Sequence, residues 1–188
     1  GPGTAVLLAH REGARVFSAT AARLRFGADH VGVLFHSFAF DFSVWELWGA
    51  LLHGGRLLLV PQHTSRSPQA FYELLWREGV TVLNQTPTAF RHLIAAQSRS
   101  QHRLRVVVFG GEALQTNMLA PWYRRADNAG TQLVNMSGIT ETTVHVTYRA
   151  LSADDAGRAG ASPIGCALAD LRVYVLDAQR QPLPVGAI

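Results

Sequence analysis

Residues 104–111 read LRVVVFGG: four apolar side chains in a row, Val106 to Phe109, closed by two glycines. A strand with one wet face alternates apolar and polar residues. A strand that is apolar throughout is covered on both faces, which suits a parallel sheet between two layers of helices. RLLLVP at 56–61 repeats the pattern. Outward from these runs, strand and helix patterns take turns. VGVLFHS (31–37), TVLNQ (81–85) and TQLVNMS (131–137) read as further strands. Residues 10–25, SVWELWGALLHG (43–54), SPQAFYELLWREG (67–79), PTAFRHLIAAQ (87–97) and a stretch near 116–129 read as helices. Ser67 suits an N-cap, with Pro68 in the first turn and Gly79 as the stop. The expected fold class is α/β, a doubly wound and mostly parallel sheet flanked by helices, over residues 1–150. SADDAGRAGAS (152–162) reads as a flexible link, within a linker set at 151–162. DLRVYVLDAQRQPLPVG (170–186) alternates with period two around DAQRQ, so residues 163–188 read as a hairpin opening a new sheet.

The chain has 188 residues, 48% of them hydrophobic, enough for one good core. No apolar run is long enough to span a membrane and no signal-peptide pattern is present, so a soluble cytosolic protein is expected. The lone Cys166 excludes an internal disulfide and reads as a small buried residue. The net charge of +4 and pI of about 10 invite a nucleic-acid reading. The basic residues form no run, and this reading is set aside. All 17 are arginine; the sequence has no lysine. GPGTAVLLAHREG at the start and QPLPVGAI at the end both read as cuts through a larger protein.

Ligands of doubly wound sheets bind beyond the carboxyl ends of the strands. The unusual residues fall there: His36 to Asp41, Asn84 to Thr88, Gly110-Gly111-Glu112, and Asn135 to Glu141. In SFAFDFSVWELW (37–48), Asp41 stands between two phenylalanines, and an ionised carboxylate in such company is costly without a partner. It could cap the following helix, pair with an arginine, or await a cationic ligand. Gly110-Gly111 would let a flat ligand approach the backbone. SGITETT (137–143) offers hydroxyls for phosphate oxygens and a carboxylate for Mg²⁺. No GxxxxGK[ST] or GxGxxG motif occurs.

FDFSVWELWGALLHGGRLLLVP, FGGEAL and NMSGITETTVHVTYRAL, in this order and spacing, resemble the adenylation domains of nonribosomal peptide synthetases. These are adenylate-forming enzymes. They join a carboxylate to ATP as an acyl-adenylate, then pass the acyl group to the phosphopantetheine thiol of a peptidyl carrier domain. The resemblance implies that residues 1–150 form one subdomain and that 163–188 begin a β-barrel-like one. It implies that Asp41 binds the α-ammonium of the amino acid. Gly111, Glu112, Ala113 and Asn135 would meet adenine, Thr140 the α-phosphate, and Glu141 Mg²⁺. His36 would lie near the reacting carboxylate. The side-chain pocket would comprise Asp41, Phe42, Trp45, Asn84, Val108, Gly110, Met136, Val144 and His145, a set similar to that of threonine-activating domains. Phe42, Trp45 and Met136 would pack a methyl group, and Asn84 and His145 would bond a hydroxyl.

The sequence departs from the family pattern at Ser137, where an aromatic residue usually stacks on adenine, so weaker ATP binding is expected. The phosphate loop is represented only by GTAV (3–6), without its lysine. The catalytic lysine of the family's small C-terminal domain is absent too. The fragment alone is therefore expected to be inactive or nearly so. Two alternatives remain: an acyl- or aryl-CoA ligase, whose substrate offers no ammonium to Asp41, and a degenerate binding module without catalysis.

Overall fold

The computed structural model describes residues 6–99, 101–158, 160, 162–184 and 186. Helix α1 (His10–Leu24) leads to β1 (Val31–Leu34), α2 (Phe42–Leu51), β2 (Arg56–Leu59), the short α3 (Gln62–Ser65) and α4 (Pro68–Arg77). β3 (Val82–Gln85), α5 (Pro87–Ala96) and β4 (Val106–Phe109) follow. After a broken helical stretch holding α6 (Ala120–Tyr123) come β5 (Gln132–Asn135), β6 (Thr147–Leu151), α7 (Ala153–Ala156) and β7 (Cys166–Ala167).

β1 and β2 pair in parallel, as do β3, β4 and β5; β6 and β7 extend the second sheet antiparallel. The two sheets meet where Thr81 N donates to Val31 O at 2.9 Å and the Thr81 hydroxyl accepts from Val31 N at 2.9 Å. Consecutive residues of β4 point into opposite layers. Val107 and Phe109 pack with Phe71, Leu75, Phe90 and Trp122. Val106 and Val108 pack with Phe17, Phe42 and Trp45. All four are fully buried, each contributing about 1.5–3 kcal/mol. This double cover is what LRVVVFGG implies. Helices α4 and α5 start alike: Ser67 Oγ and Thr86 Oγ1 accept from the third residue on, and a proline fills the first turn.

Several expectations need correction. LLLV is not covered on both faces: among the described residues β2 is an edge strand, and Leu59 is exposed. The helix near 116–129 is broken into 3-10 turns at Thr116–Leu119 and Ala126–Asn128 around α6. Arg125 is extended there, and Asn128 Nδ2 donates to Trp122 O at 2.8 Å, replacing the bond a continuing helix would make. The stretch 152–162 contains α7, where Asp155 accepts from Ser152 N (2.9 Å), Ser152 Oγ (3.0 Å) and Arg149 Nη2 (2.9 Å). Residues 159 and 161 of that stretch lie outside the described residues. Cys166 is exposed, because β7 is a two-residue strand at the sheet edge.

The hairpin at the end of the chain closes around Asp177, whose N–H donates to Gln181 O while its Oδ1 accepts from Gln179 N and Gln181 N. Val173, Tyr174 and Val175 on it are exposed, and no closed barrel is present among the described residues. No described helix is long and apolar enough to cross a membrane.

Candidate functional site

The carboxyl ends of β1, β3, β4 and β5 open onto one rim. Two adjoining cavities lie there and share Gly111, Met136 and Gly138 as a common wall. The first, of about 240 Å³, is lined by Asp41, Phe42, Val144 and His145, with Thr140 and Glu141 at its edge. The second, of about 280 Å³, is lined by Glu112, Ala113, Asn135 and Ser137.

Asp41 is half-buried at the start of α2. It does not cap the helix: its backbone is already helical and its side chain accepts no cap hydrogen bond. No arginine or histidine lies within ion-pair distance of it among the described residues. Among the described residues its one side-chain partner is the Thr140 hydroxyl, which donates to Oδ2 at 2.9 Å. A half-buried carboxylate facing a cavity of mixed polar and apolar lining, with a neutral hydroxyl beside it, has room for a cationic partner.

The nine expected pocket residues divide into two layers. Asp41, Phe42, Met136, Val144 and His145 line the first cavity. Trp45, Asn84, Val108 and Gly110 stand behind it. Trp45 donates its indole N–H to Asn84 Oδ1 at 2.9 Å and stacks on Phe17, with ring centroids 5.0 Å apart and planes 8° from parallel. One lone pair of the Asn84 oxygen is thus taken by the indole, which leaves its second lone pair and its amide N–H groups. A side chain at Gly110 would press on Phe42 and His145, and one at Gly111 would overlap Phe40.

His145 is buried, with its ring edge on Trp45 at 4.8 Å. Neither ring nitrogen has a hydrogen-bond partner. Burial pulls its pKa from 6.5 to about 3. It is therefore a neutral imidazole at pH 7, with one donor and one acceptor nitrogen, both buried. His30 is likewise buried, and desolvation, helped by Arg105 and His53, lowers it to about 4. Both remain unprotonated in the fold where the unfolded chain takes up protons. Stability is then full above about pH 6.5 and falls on acidification towards pH 4, by up to about 1.4 kcal/mol per pH unit for each histidine. Urea titrations at stepped pH measure this slope, and His145→Phe is expected to remove about half of it.

The loop from Met136 to Val146 is held at its neck, where Ser137 O accepts from Val146 N (2.7 Å) and Thr147 N (3.1 Å). A Cβ on Gly138 would overlap the Val144 carbonyl. Thr143 and Val144 have φ of 63° and 65°, and a β-branched residue there stores about 1–3 kcal/mol of strain. Strain of that kind aims Val144 and His145 into the cavity.

In the second cavity, Asn135 Nδ2 donates to Pro163 O at 2.8 Å and Ser162 Oγ at 3.2 Å, while Oδ1 has no hydrogen-bond partner among the described residues. Glu112 has a structural task, accepting from Thr88 N in the first turn of α5 at 3.1 Å. Glu141 is exposed and makes no ion pair or side-chain hydrogen bond among the described residues. No group of three metal-ligating side chains exists among them. A lone carboxylate still fits Mg²⁺, which takes its remaining oxygens from water and substrate phosphates.

His36 does not line either cavity. It packs one layer behind, against Phe40 and Phe42, and its Nδ1 lies 2.9 Å from Glu46 Oε1. Sequence reasoning missed Glu46, a buried acid in the middle of an apolar helix, although that placement is itself a signal. Phe40, Gly138 and Ile139, within the ranges marked at the strand ends but given no individual role, also stand in the cavity wall.

The AMP-binding enzyme family matches residues 5–188. The chain belongs to the AMP-binding enzymes. This AMP-binding chain is 52% identical over 186 residues to a dimodular nonribosomal peptide synthase of Bacillus subtilis (strain 168), spanning 96% of the chain and 8% of that protein. It is 43% identical over 183 residues to syringomycin synthase SyrB1 of Pseudomonas syringae pv. syringae, spanning 96% of the chain and 30% of that protein. The chain thus covers under a third of these relatives. Among solved structures, the nonribosomal peptide synthetase FmoA3 aligns with a TM-score of 0.84 at 25% identity, over 94% of this chain and 19% of that one. The Vibrio cholerae adenylation domain AlmE, solved with glycyl-adenosine-5'-phosphate, shares the fold at a TM-score of 0.79 and 24% identity, over 95% of this chain and 34% of that one.

Proposed function

We propose that this AMP-binding chain is part of an adenylation domain that activates an L-amino acid, threonine, with ATP for transfer to a peptidyl carrier domain. The observation that carries this reading is Asp41: a half-buried carboxylate on the first cavity, with the Thr140 hydroxyl but no cation beside it among the described residues. An α-ammonium supplies that charge, whereas the fatty or aryl acid of a CoA ligase does not. With the ammonium on Asp41, the substrate carboxylate attacks the α-phosphorus of ATP and pyrophosphate leaves. Thr140 contacts the α-phosphate, and its bond to Asp41 links the two ligands. Mg²⁺ on Glu141 would offset charge on the departing pyrophosphate. Gly111, Glu112 and Ala113 flank adenine, and Asn135 Oδ1 accepts from its amino group. ATP chemistry suits the cytosol. The division at 151–162 is proposed to separate two subdomains of one parent.

Threonine is supported by the cavity wall. Phe42, Met136 and Val144 would pack a methyl group, and His145, whose two buried ring nitrogens have no hydrogen-bond partner among the described residues, is the polar side chain in that wall for a hydroxyl. A site built to bond a hydroxyl rejects the isostere lacking it, because its own polar groups are left unpaired. Residues 6–184 grafted into a complete adenylation domain of other selectivity are expected to give threonine-dependent ATP–pyrophosphate exchange, with serine weaker and valine near background. Exchange with another amino acid sinks the threonine assignment. No exchange from a folded graft favours the degenerate binding module. In that graft Ser137→Tyr is expected to lower the KM for ATP by about tenfold, within the 1–3 kcal/mol of a base–aromatic stack.

A further inference from the structure

His145 lines the first cavity, and among the described residues no hydrogen bond holds its ring. Packing therefore sets where the ring lies. Its aromatic neighbours are Phe42, in the same wall at 5.5 Å, and Trp45, one layer behind at 4.8 Å with the planes 87° apart. Trp45 is itself fixed in two ways. Its indole N–H donates to Asn84 Oδ1 at 2.9 Å, and its flat face lies on Phe17, with centroids 5.0 Å apart and planes 8° from parallel. Phe26 meets the indole only in a T-shaped contact, at 5.7 Å and 71°. A single hydrogen bond pins one point of a ring and leaves it free to tilt about that point. The stacked ring is what sets its plane. Phe17 comes from α1, whose buried face is Val16, Phe17, Thr20 and Leu24. No residue of α1 stands among the described residues that line the first cavity.

We infer that Phe17 is a positioning residue for amino-acid selectivity: lying flat on Trp45, it fixes the plane of the indole and, through it, the place of His145 in the cavity wall. The inference rests on the proposed adenylation reading and extends it to a helix that contributes nothing to the cavity lining. Protein interiors are close-packed, so the volume left by a shortened Phe17 is taken up by the neighbours that are able to move. The indole is such a neighbour, because its bond to Asn84 acts as a pivot. As it tilts towards the vacated space, His145 loses its backing and turns from its place in the wall. A substrate hydroxyl then loses a fixed partner, and the isostere without one is no longer turned away by an unpaired polar group. Threonine is weakened and valine is favoured, so the ratio between them moves. A general loss of stability lowers both alike and leaves the ratio where it was.

The test uses the grafted adenylation domain described above, read by ATP–pyrophosphate exchange. Phe17→Leu is expected to lower the kcat/KM ratio of threonine over valine about tenfold, within the coupling typical of side chains in contact. The KM for ATP is expected to stay within about twofold, since the second cavity is untouched. Phe17→Tyr keeps the ring and is expected to keep the ratio. Leu24→Ala shortens an equally buried side chain on the same helix and is expected to lower the melting temperature without moving the ratio. The indole N–H signal of Trp45 in the ¹⁵N-tryptophan-labelled graft, assigned with Trp45→Phe, is expected to shift in Phe17→Leu and to hold in Leu24→Ala. If Phe17→Leu does not fold, Phe17→Met carries the same test, because its flexible thioether fills gaps without setting a plane. An unchanged ratio in the folded variant overturns the inference, and so does an equal fall in Leu24→Ala, which would make Phe17 one core residue among others. Either result leaves the adenylation reading standing, since exchange persists. Absent exchange in the unsubstituted graft defeats that reading, and the inference falls with it.

Discussion

Asp41→Asn in the grafted adenylation domain is expected to raise the KM for threonine by at least about 100-fold, since removing one partner of a desolvated ion pair costs about 3–5 kcal/mol. The KM for ATP is expected to stay within about threefold, because the variant leaves the second cavity and its uniform binding untouched. Ligand-free stability separates this reading from a structural one. Among the described residues the Asp41 side chain bonds only to the Thr140 hydroxyl, whose donated hydrogen bond an asparagine oxygen can also accept. The melting temperature should therefore hold or rise slightly, as it does when a functional charge without a partner is removed. A large fall in melting temperature would make Asp41 a packing residue. An unchanged KM for the amino acid would remove the ammonium role.

Gly138→Ala should be the most damaging small substitution in the rim. Its Cβ would overlap the carbonyl oxygen of Val144, which is backbone and cannot rotate away. The neck bonds from Ser137 O to Val146 N and Thr147 N would have to open. We expect a loss of about 3 kcal/mol or more in urea unfolding, the upper range for overpacking. Loss of ligand binding in both cavities should accompany it, since Gly138 belongs to their common wall. Gly130→Ala, with nothing within 4 Å of the added carbon, is the matched control and should stay within about 0.5 kcal/mol. Equal effects at the two sites would mean that the loop yields.

Much of this was legible before the structure. Continuous apolar strands such as VVVF have a single comfortable environment, so the layered sheet follows from them. Asp41 was legible because an acid between phenylalanines needs an explanation. What stayed hidden depends on distance rather than type. LLLV is as apolar as VVVF, and only its position in the sheet order makes it an edge. Trp45 and Asn84 read as cavity lining, and only their mutual hydrogen bond shows that they stand behind it. Glu46 and His36 are ten residues apart with no shared motif between them, so their pairing appears only when α2 packs beside β1. The antiparallel β6 escaped because TYRAL lacks the unbroken apolar run of its parallel neighbours. The capping acid of α7 lay within a stretch whose glycines and alanines read as a link.

The neck at Ser137 has an evolutionary meaning. Residues 138–145 leave the sheet and return to it at one hydrogen-bonded point, so the segment is bounded like a cassette. Thr140, Glu141, Val144 and His145 lie within it with Gly138 of the common wall, and Met136 lies just outside, while Asp41 is carried by the start of α2. An exchange of this one short segment would replace one whole side of the first cavity in a single step and leave Asp41 where it is, so a lineage can remodel that wall by swapping a few codons.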